Sequence, residues 1–131
     1  MGLDIYFYDK NRTEIGYFRK VNFLLTYFDI DDGKNCKLVR ITKKKFSEFV
    51  KDIEEESFEY SKKKMLLSSS SEEICIEPKN LLFKTKNVFC GGNIEYNELY
   101  WNNLFSVREW SNKVLEKFDW KKDRFYIWCW W

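Results

Sequence analysis

The last eight residues constrain the fold more than any other segment of the chain. The segment Arg124–Trp131 is apolar at nearly every position, so as a strand it would present apolar side chains on both faces of a sheet. One face would carry Tyr126, Trp128 and Trp130, and the other Phe125, Ile127, Cys129 and Trp131. Neither face suits water, so we expect either an internal strand or a strand that a partner covers.

Within this strand the depth of burial should differ along its length. We expect Phe125, Ile127 and Trp128 to be buried, because they lie well inside the strand. We expect Trp130 and Trp131 to be partly exposed, because chain ends are poorly ordered unless they are anchored.

Other strands are predicted from shorter patterns. Period-two alternation of apolar residues predicts a strand over Leu3–Phe7, and Cys36–Ile41 is a second candidate. Ile74–Glu77, Leu81–Lys84 and Val88–Cys90 are weaker candidates around the only proline of the chain.

Three helices are predicted from apolar spacings of three and four. The first covers Ile15–Ile30, the second begins at Lys43 after Thr42 as N-cap, and the third covers Ile94–Phe118 after Asn93 as N-cap. The inward residues of the second helix are predicted to be Phe46, Phe49, Val50 and Ile53. The stripe of the third is Tyr96, Tyr100, Leu104, Val107, Val114 and Phe118, with Trp110 alongside.

Strands near both ends and helices between them predict an α+β fold. We expect one domain over residues 1–131, built as a mostly antiparallel sheet with about three helices packed on one side. The segment Glu54–Glu73 contains lysine and serine runs, and we expect a partly helical, mobile connection there.

The composition argues against the common catalytic arrangements. The 131 residues include no histidine, so Ser-His-Asp, Cys-His and histidine-dependent metal chemistry are excluded. Lys and Arg exceed Asp and Glu by a formal charge of only +2, which argues against a duplex-binding protein. We therefore expect no catalytic residues and no cofactor, although a carboxylate- or tyrosine-based enzyme stays open as an alternative.

Cysteine usage and the length of the apolar runs indicate where such a chain works. Cys36, Cys75, Cys90 and Cys129 form no Cys-x-x-Cys pair, so we predict free, buried thiols and no metal site. This usage is typical of a reducing cytoplasm. No apolar run approaches the ~20 residues that cross a bilayer, so we expect no membrane partner.

Aromatic residues make up 20% of the chain and suggest a binding surface. Phe23 and Tyr27 lie off the main stripe of the first predicted helix, beside Arg19 and Lys20. Trp and Tyr rings next to cations are typical of interface anchors. The residues predicted to bind a partner are Arg19, Lys20, Phe23, Tyr27, Trp130 and Trp131.

Three segments carry a resemblance to a known group of proteins. Met1–Tyr8 resembles the opening of a family of small phage and prophage proteins, whose members often begin Met-Gly-Leu-Asp-Met-Tyr-Leu-Tyr. Ile15–Asn22 is similar to the next block of that family, Val-Gly-Tyr-Trp-Arg-Lys-Ala-Asn, with Phe18 in the place of the Trp. Phe125–Trp131 loosely resembles the aromatic Tyr-Tyr-Ser-Ser-Trp ending, with Ile-Trp-Cys in the place of Tyr-Ser-Ser.

The resemblance implies a phage or prophage accessory gene, a class that often encodes anti-defence proteins. We therefore expect an anti-CRISPR inhibitor in the cytoplasm of a bacterial host. It would bind a host defence effector directly, with a type VI RNA-guided RNase or its RNA as one candidate target. Two alternatives remain open: a module that binds or sequesters RNA or a nucleotide, and a small enzyme that modifies a host factor.

Overall fold

One antiparallel sheet forms a layer of the molecule. The computed structural model describes residues 2–67, 75–86 and 95–131. In that part of the chain four strands are present, β1 (Asp4–Tyr8), β2 (Glu14–Arg19), β3 (Val39–Ile41) and β4 (Phe125–Trp130). Their order across the sheet is β2-β1-β4-β3, and every neighbouring pair is antiparallel. The C-terminal strand β4 therefore lies between β1 and β3. Of the two expectations for this strand, an internal position or a covering partner, the first is confirmed.

The hairpin that joins β1 and β2 replaces the first part of the predicted helix over Ile15–Ile30. Asp9 sets the turn, since its carboxylate accepts hydrogen bonds from the backbone N–H groups of Asn11 and Thr13, both at 2.9 Å. Pairing with β1 then holds residues 14–19 extended, and Gly16 in this segment weakens any competing helix. The helix prediction is wrong for these residues.

Of the helix predicted over Ile15–Ile30, the structure has only a five-residue helix near its middle. Helix α1 covers Phe23–Tyr27, and a single 3-10 turn follows at Asp32–Lys34. Lys20 has a φ of 61°, which ends β2 and turns the chain toward α1. Nearly every side chain of α1 is buried, so the helix is part of the core and has no solvent-facing stripe.

The second helix matches its prediction at the start and runs further than expected. Helix α2 covers Lys43–Leu66, and the Thr42 hydroxyl accepts a hydrogen bond from the backbone N–H of Lys45. The four predicted inward residues are all buried. Glu56, Ser57 and Tyr60 are buried as well, so the connection that was predicted to be partly helical from Glu54 is a continuous helix packed on the core as far as Leu66. Residues 68–73 lie outside the described residues.

The segment 75–86 packs over the helices without a strand. Its only regular element is a 3-10 turn at Leu81–Phe83, so the strand predictions are wrong for residues 75–77 and 81–84, while Ile74 and Val88–Cys90 lie outside the described residues. The Glu56 carboxylate of α2 accepts hydrogen bonds from the backbone N–H groups of Lys79 (2.5 Å) and Asn80 (3.1 Å). A buried carboxylate thus satisfies backbone groups that a strand partner would otherwise have to satisfy.

The third helix, α3, covers Glu98–Lys117, and it begins after Asn97, whose side chain accepts from the N–H of Tyr100. The predicted start near Ile94 is thus too early, and Asn93 lies outside the described residues. Its stripe is buried at Tyr100, Leu104, Val107 and Val114 and half-buried at Tyr96, Trp110 and Phe118.

The helices pack on one face of the sheet, which we call the inner face. Phe46 of α2 contacts Phe125 of β4, with ring centroids 4.9 Å apart, and Trp110 of α3 contacts Phe7 of β1 at 4.6 Å. The two long helices contact each other through Tyr60 and Trp101, whose rings stack at 4.2 Å. The predicted α+β class, with an antiparallel sheet and three helices, is confirmed. Among the described residues, no helix is both long and apolar enough to cross a membrane.

Candidate functional site

The outer face of the sheet, opposite the helices, is aromatic. Side chains alternate along each strand, so the residues next to the buried Ile5 and Phe7 point outward. The register places Tyr17 and Trp128 on either side of Tyr6, and Tyr126 beside Tyr8. We call the resulting surface the aromatic face, which consists of Tyr6, Tyr8, Tyr17, Tyr126, Trp128 and Trp130.

Tyr6 is the centre of the aromatic face. Its ring centroid lies 4.7 Å from that of Tyr17, 5.7 Å from that of Tyr8 and 5.8 Å from that of Trp128. The Tyr6 and Tyr8 rings are nearly parallel, at 6°. Cross-strand ring contacts of this kind stabilise a sheet and fix the rings in place. The centre of the face is therefore a packed cluster of rings, half-buried by its own members.

Tyr17 of the aromatic face is hydrogen-bonded to the carboxylate of Asp4 on the neighbouring strand. The Tyr17 hydroxyl donates to Oδ1 of Asp4 at 2.5 Å. This hydrogen bond, with burial and the negative charge of Asp4, raises the pKa of Tyr17 above its ordinary value. Tyr17 therefore stays a neutral donor at physiological pH, and Asp4 keeps one oxygen occupied.

A groove crosses the aromatic face toward the β3 edge. It has a volume of about 570 Å³, and we call it the edge groove, lined by Tyr8, Arg12, Cys36, Lys37, Leu38 and Trp128. Arg12 comes from the β1–β2 hairpin, and residues 36–38 precede β3. Burial raises the pKa of Tyr8, as do Tyr6 and Glu14, and the nearby Arg12 opposes that rise. The groove joins rings and cations from parts of the chain that are distant in sequence.

Three of the residues predicted to bind a partner are exposed. Arg19 and Trp130 both pair with Asp4, from β2 and β4 respectively, so they lie on either side of it in one row across the sheet. Trp130 is 55% exposed. Lys20 follows Arg19 and is also exposed. The structure thus brings Arg19, Lys20 and Trp130 to one end of the aromatic face.

Phe23 and Tyr27 require a correction, because they lie in the core. Their side chains are only 1% and 2% exposed, and both rings contact Phe83 of the segment that covers α1. The Tyr27 hydroxyl donates to Asp52 at 2.7 Å, and burial followed by this hydrogen bond raises its pKa well above the ordinary value. Neither ring can contact a partner in this structure.

The remaining residue, Trp131, is half-buried and tied down. Its backbone N–H donates to Oδ1 of Asn35 at 3.2 Å, its carbonyl accepts from Nδ2 of Asn35 at 3.0 Å, and its indole N–H donates to Asp32 at 3.2 Å. The end of β4 is thus anchored to the turn before β3. Trp131 packs against the core, so it offers less surface to a partner than the exposed Trp130 does.

The cysteines divide into two environments. Cys129 is buried, as predicted, and burial raises the pKa of its thiol to about 12. Cys36 and Cys75 are exposed free thiols, so the prediction of burial is wrong for both. Cys90 lies outside the described residues. Among the residues that the structure describes, no three potential ligands of the Cys, Asp and Glu types form a metal site.

Sequence patterns placed Tyr126, Trp128 and Trp130 on one face of the last strand but did not predict the part of the aromatic face on β1 and β2. Tyr6, Tyr8 and Tyr17 were not singled out, and Trp128 was expected in the core, whereas it is half-buried on the outer face. The signal was present in β1, because two of its three non-core positions, Tyr6 and Tyr8, hold rings where an exposed strand normally has polar residues.

Comparison of the chain with protein-family models, with curated proteins and with solved structures finds no match.

Proposed function

We propose that this chain is a non-enzymatic inhibitor that binds a protein through its aromatic face. One observation carries the proposal: six aromatic residues occupy the sheet face that the helices leave open. Tyr17 and Trp130 of this face are exposed and the other four rings are half-buried, and a contiguous apolar surface that stays open to solvent marks an interaction site. Tyr and Trp together with Arg are also the residues that dominate binding energy at protein interfaces.

The arrangement of the rings favours a protein partner over a nucleic acid at the centre of the face. Base stacking needs an open ring surface. Tyr6 is surrounded by Tyr8, Tyr17 and Trp128, so its surface is already in contact with other rings. Asp4 lies in the same face and would repel a phosphate backbone. A protein partner can pack apolar side chains against such a surface and can place opposite charges beside Asp4 and Arg19.

The groups with the largest pKa shifts in the described part of the chain favour binding over catalysis, and the smaller shifts of Tyr8 and Tyr17 on the outer face also keep those hydroxyls protonated at neutral pH. The pKa of Tyr27, Tyr100 and Cys129 is raised, in each case chiefly by burial. All three lie in the core and keep their protons at neutral pH. Perturbed groups at catalytic sites instead lie in clefts that substrate can reach.

A host defence effector is the target class that we propose. Support comes from the resemblance of Met1–Tyr8 and Ile15–Asn22 to small phage and prophage proteins, whose genes often encode anti-defence functions. Direct binding in the bacterial cytoplasm would then inhibit the effector, with a type VI RNA-guided RNase as one candidate.

Trp130 provides a sharp test of this proposal. We expect Trp130→Ser to weaken binding and inhibition of the effector at least tenfold, which corresponds to about 1.4 kcal/mol. The matched control is Phe58→Ser on α2, because Phe58 is similarly exposed but lies away from the sheet. The assay is co-purification from host lysate treated with RNase, followed by inhibition of the captured effector. Unchanged inhibition by folded Trp130→Ser, or no effector bound by the parent protein, would refute the proposal.

RNA binding is the second candidate function, and the cations around the face favour it. Arg19, Lys20 and Arg40 are exposed on strands or strand ends of the same sheet. If RNA is the partner, capture should be lost on RNase treatment, and affinity should fall steeply between 50 and 200 mM salt. A protein partner predicts capture that survives RNase and depends weakly on salt.

A further inference from the structure

The edge groove is separate in its chemistry from the centre of the aromatic face. Its volume of about 570 Å³ lies within the range of small-molecule sites, roughly 300–1,000 Å³. Its described lining offers two rings, Tyr8 and Trp128, and two cations, Arg12 and Lys37. No carboxylate is among these lining residues. A flat apolar surface beside positive charge suits a ligand that carries both a ring and an anion.

The two cations of the groove take part in no ion pair with a described residue, although the Glu14 carboxylate lies near enough to Tyr8 to raise its pKa. Ion pairs in the described part of the chain use Lys34, Lys62, Lys84, Lys86 and Arg108. Neither Arg12 nor Lys37 forms an ion pair with a described residue. Their charges are therefore available to an anionic ligand, and Arg12 can bind phosphate oxygens in the bidentate manner of a guanidinium group.

The backbone holds both sides of the groove in place. Arg12 and Cys36 have φ values of 61° and 62°, a region that non-glycine residues rarely adopt. The N–H of Arg12 donates to the carbonyl of Asp9 at 3.0 Å, and the N–H of Cys36 donates to the carbonyl of Cys129 at 2.7 Å. Asp9 directly follows β1 and Cys129 lies in β4, so the backbone on both sides of the groove is held against these two strands.

We propose that the edge groove binds a nucleoside phosphate. The base would pack against the rings of Trp128 and Tyr8, and the phosphate would contact Arg12 and Lys37. A nucleoside phosphate combines the two features that the lining selects, a planar ring and a negative charge. This ligand site goes beyond the proposed protein interface, because it depends on Arg12 and Lys37, whereas the interface test depends on Trp130.

Calorimetric titration of the full chain with four probes tests the proposal. The probes are AMP, adenosine, inorganic phosphate, and a pentaribonucleotide with a 5′ phosphate. We expect AMP to bind at least tenfold more tightly than either adenosine or inorganic phosphate, because each of these lacks one of the two contacts. We expect the affinity for AMP to fall as salt rises, since a phosphate contact is electrostatic. The pentanucleotide identifies the source of the ligand. Affinity more than tenfold above that of AMP indicates a strand, and equal affinity indicates a free nucleotide.

Two variants and a control locate the site. We expect Arg12→Gln and Lys37→Gln each to weaken AMP binding about tenfold, while Lys44→Gln, an exposed change on α2, should leave it unchanged. Circular dichroism confirms that each variant is folded. The proposal is overturned if AMP does not bind at millimolar concentration, if inorganic phosphate binds as well as AMP, or if the Arg12→Gln/Lys37→Gln double variant keeps full affinity. None of these results depends on whether the protein partner is captured.

Discussion

The indole ring of Trp110 occupies the space that a side chain at Gly16 would need. A Cβ atom built on Gly16 would lie 2.6 Å from Cε2 and Cζ2 of that ring, and the indole N–H donates to the carbonyl of Ile15 at 3.1 Å. Helix α3 therefore docks on β2 through one ring that lies against the backbone. Gly16 is required here for close approach.

Gly16→Ala should destabilise the protein by about 1–3 kcal/mol, because the added methyl group overpacks this contact. The measurement is urea denaturation followed by circular dichroism. Gly33→Ala is the control, since a Cβ there meets only Oδ1 of Asp31, at 3.3 Å. In the double variant with Trp110→Leu, the cost of Gly16→Ala should shrink. Equal costs with and without Trp110 would contradict the docking described above.

Deleting Trp128–Trp131 should unfold the chain. The deletion removes half of β4, which separates β1 from β3, and it takes away the buried Cys129 and the anchor at Trp131. Truncation of one large buried side chain already costs ~3–5 kcal/mol, comparable with the stability of a whole domain. A thermal melt of the truncated chain should show no cooperative transition, whereas Trp130→Ser should melt near the parent. A truncated chain that stays folded would refute the internal position of β4.

Glu56→Ala should cost about 1–3 kcal/mol, because it leaves the backbone N–H groups of Lys79 and Asn80 without their acceptor. Glu56 is only 4% exposed, so water replaces the carboxylate poorly. Glu55→Ala, one residue away on the exposed side of α2, is the control and should change the unfolding free energy little. Equal effects of the two substitutions in urea denaturation would contradict this role of Glu56.

The protein should lose stability at alkaline pH. Burial raises the pKa of Cys129 to about 12 from its ordinary 9.0, and the pKa of Tyr27 also lies above its ordinary 10.0. Above pH 9 the unfolded chain therefore loses protons that the folded chain keeps, which favours unfolding. We expect full stability below pH 9 and a loss on the order of 2 kcal/mol by pH 10.5. Urea midpoints across this range measure it, and a flat profile would contradict it.

The reactivity of each cysteine thiol should follow the exposure of its side chain. Cys36 and Cys75 should be alkylated quickly by iodoacetamide in the native protein at pH 8, whereas Cys129 should react only after unfolding. Peptide mapping by mass spectrometry assigns each site. Rapid native labelling of Cys129 would show that β4 opens readily.

Sequence patterns predicted elements whose contacts are local. Thr42 and the inward residues of α2 lie close together in sequence, so capping and periodicity were enough to place them. The alternation in β1 and the double apolar pattern of β4 likewise predicted strands, and Phe125 and Ile127 are buried as expected.

The misses come from contacts between distant segments. Residues 15–19 have a helical spacing to Val21 and Leu24, but pairing with β1 decides their conformation. Tyr27 was expected at the surface because nothing near it in sequence indicates that Phe83 covers it. The edge groove was not predictable, since Arg12, Lys37 and Trp128 meet only once the sheet has formed.

The internal position of β4 also bears on synthesis of the chain. β1 and β3 do not pair with each other, and the strand that joins them begins only at Phe125. At ~5–20 residues per second, the ribosome needs on the order of 10 s to reach Phe125 after Ile41. Until then β4 does not cover its neighbours in the core. The groups left partly exposed are the apolar faces of α1 and α2 and the side chains of Ile5 and Phe7. Completion of the fold therefore waits for long-range pairing with β4, and until then the nascent chain exposes apolar segments of the kind that chaperones bind.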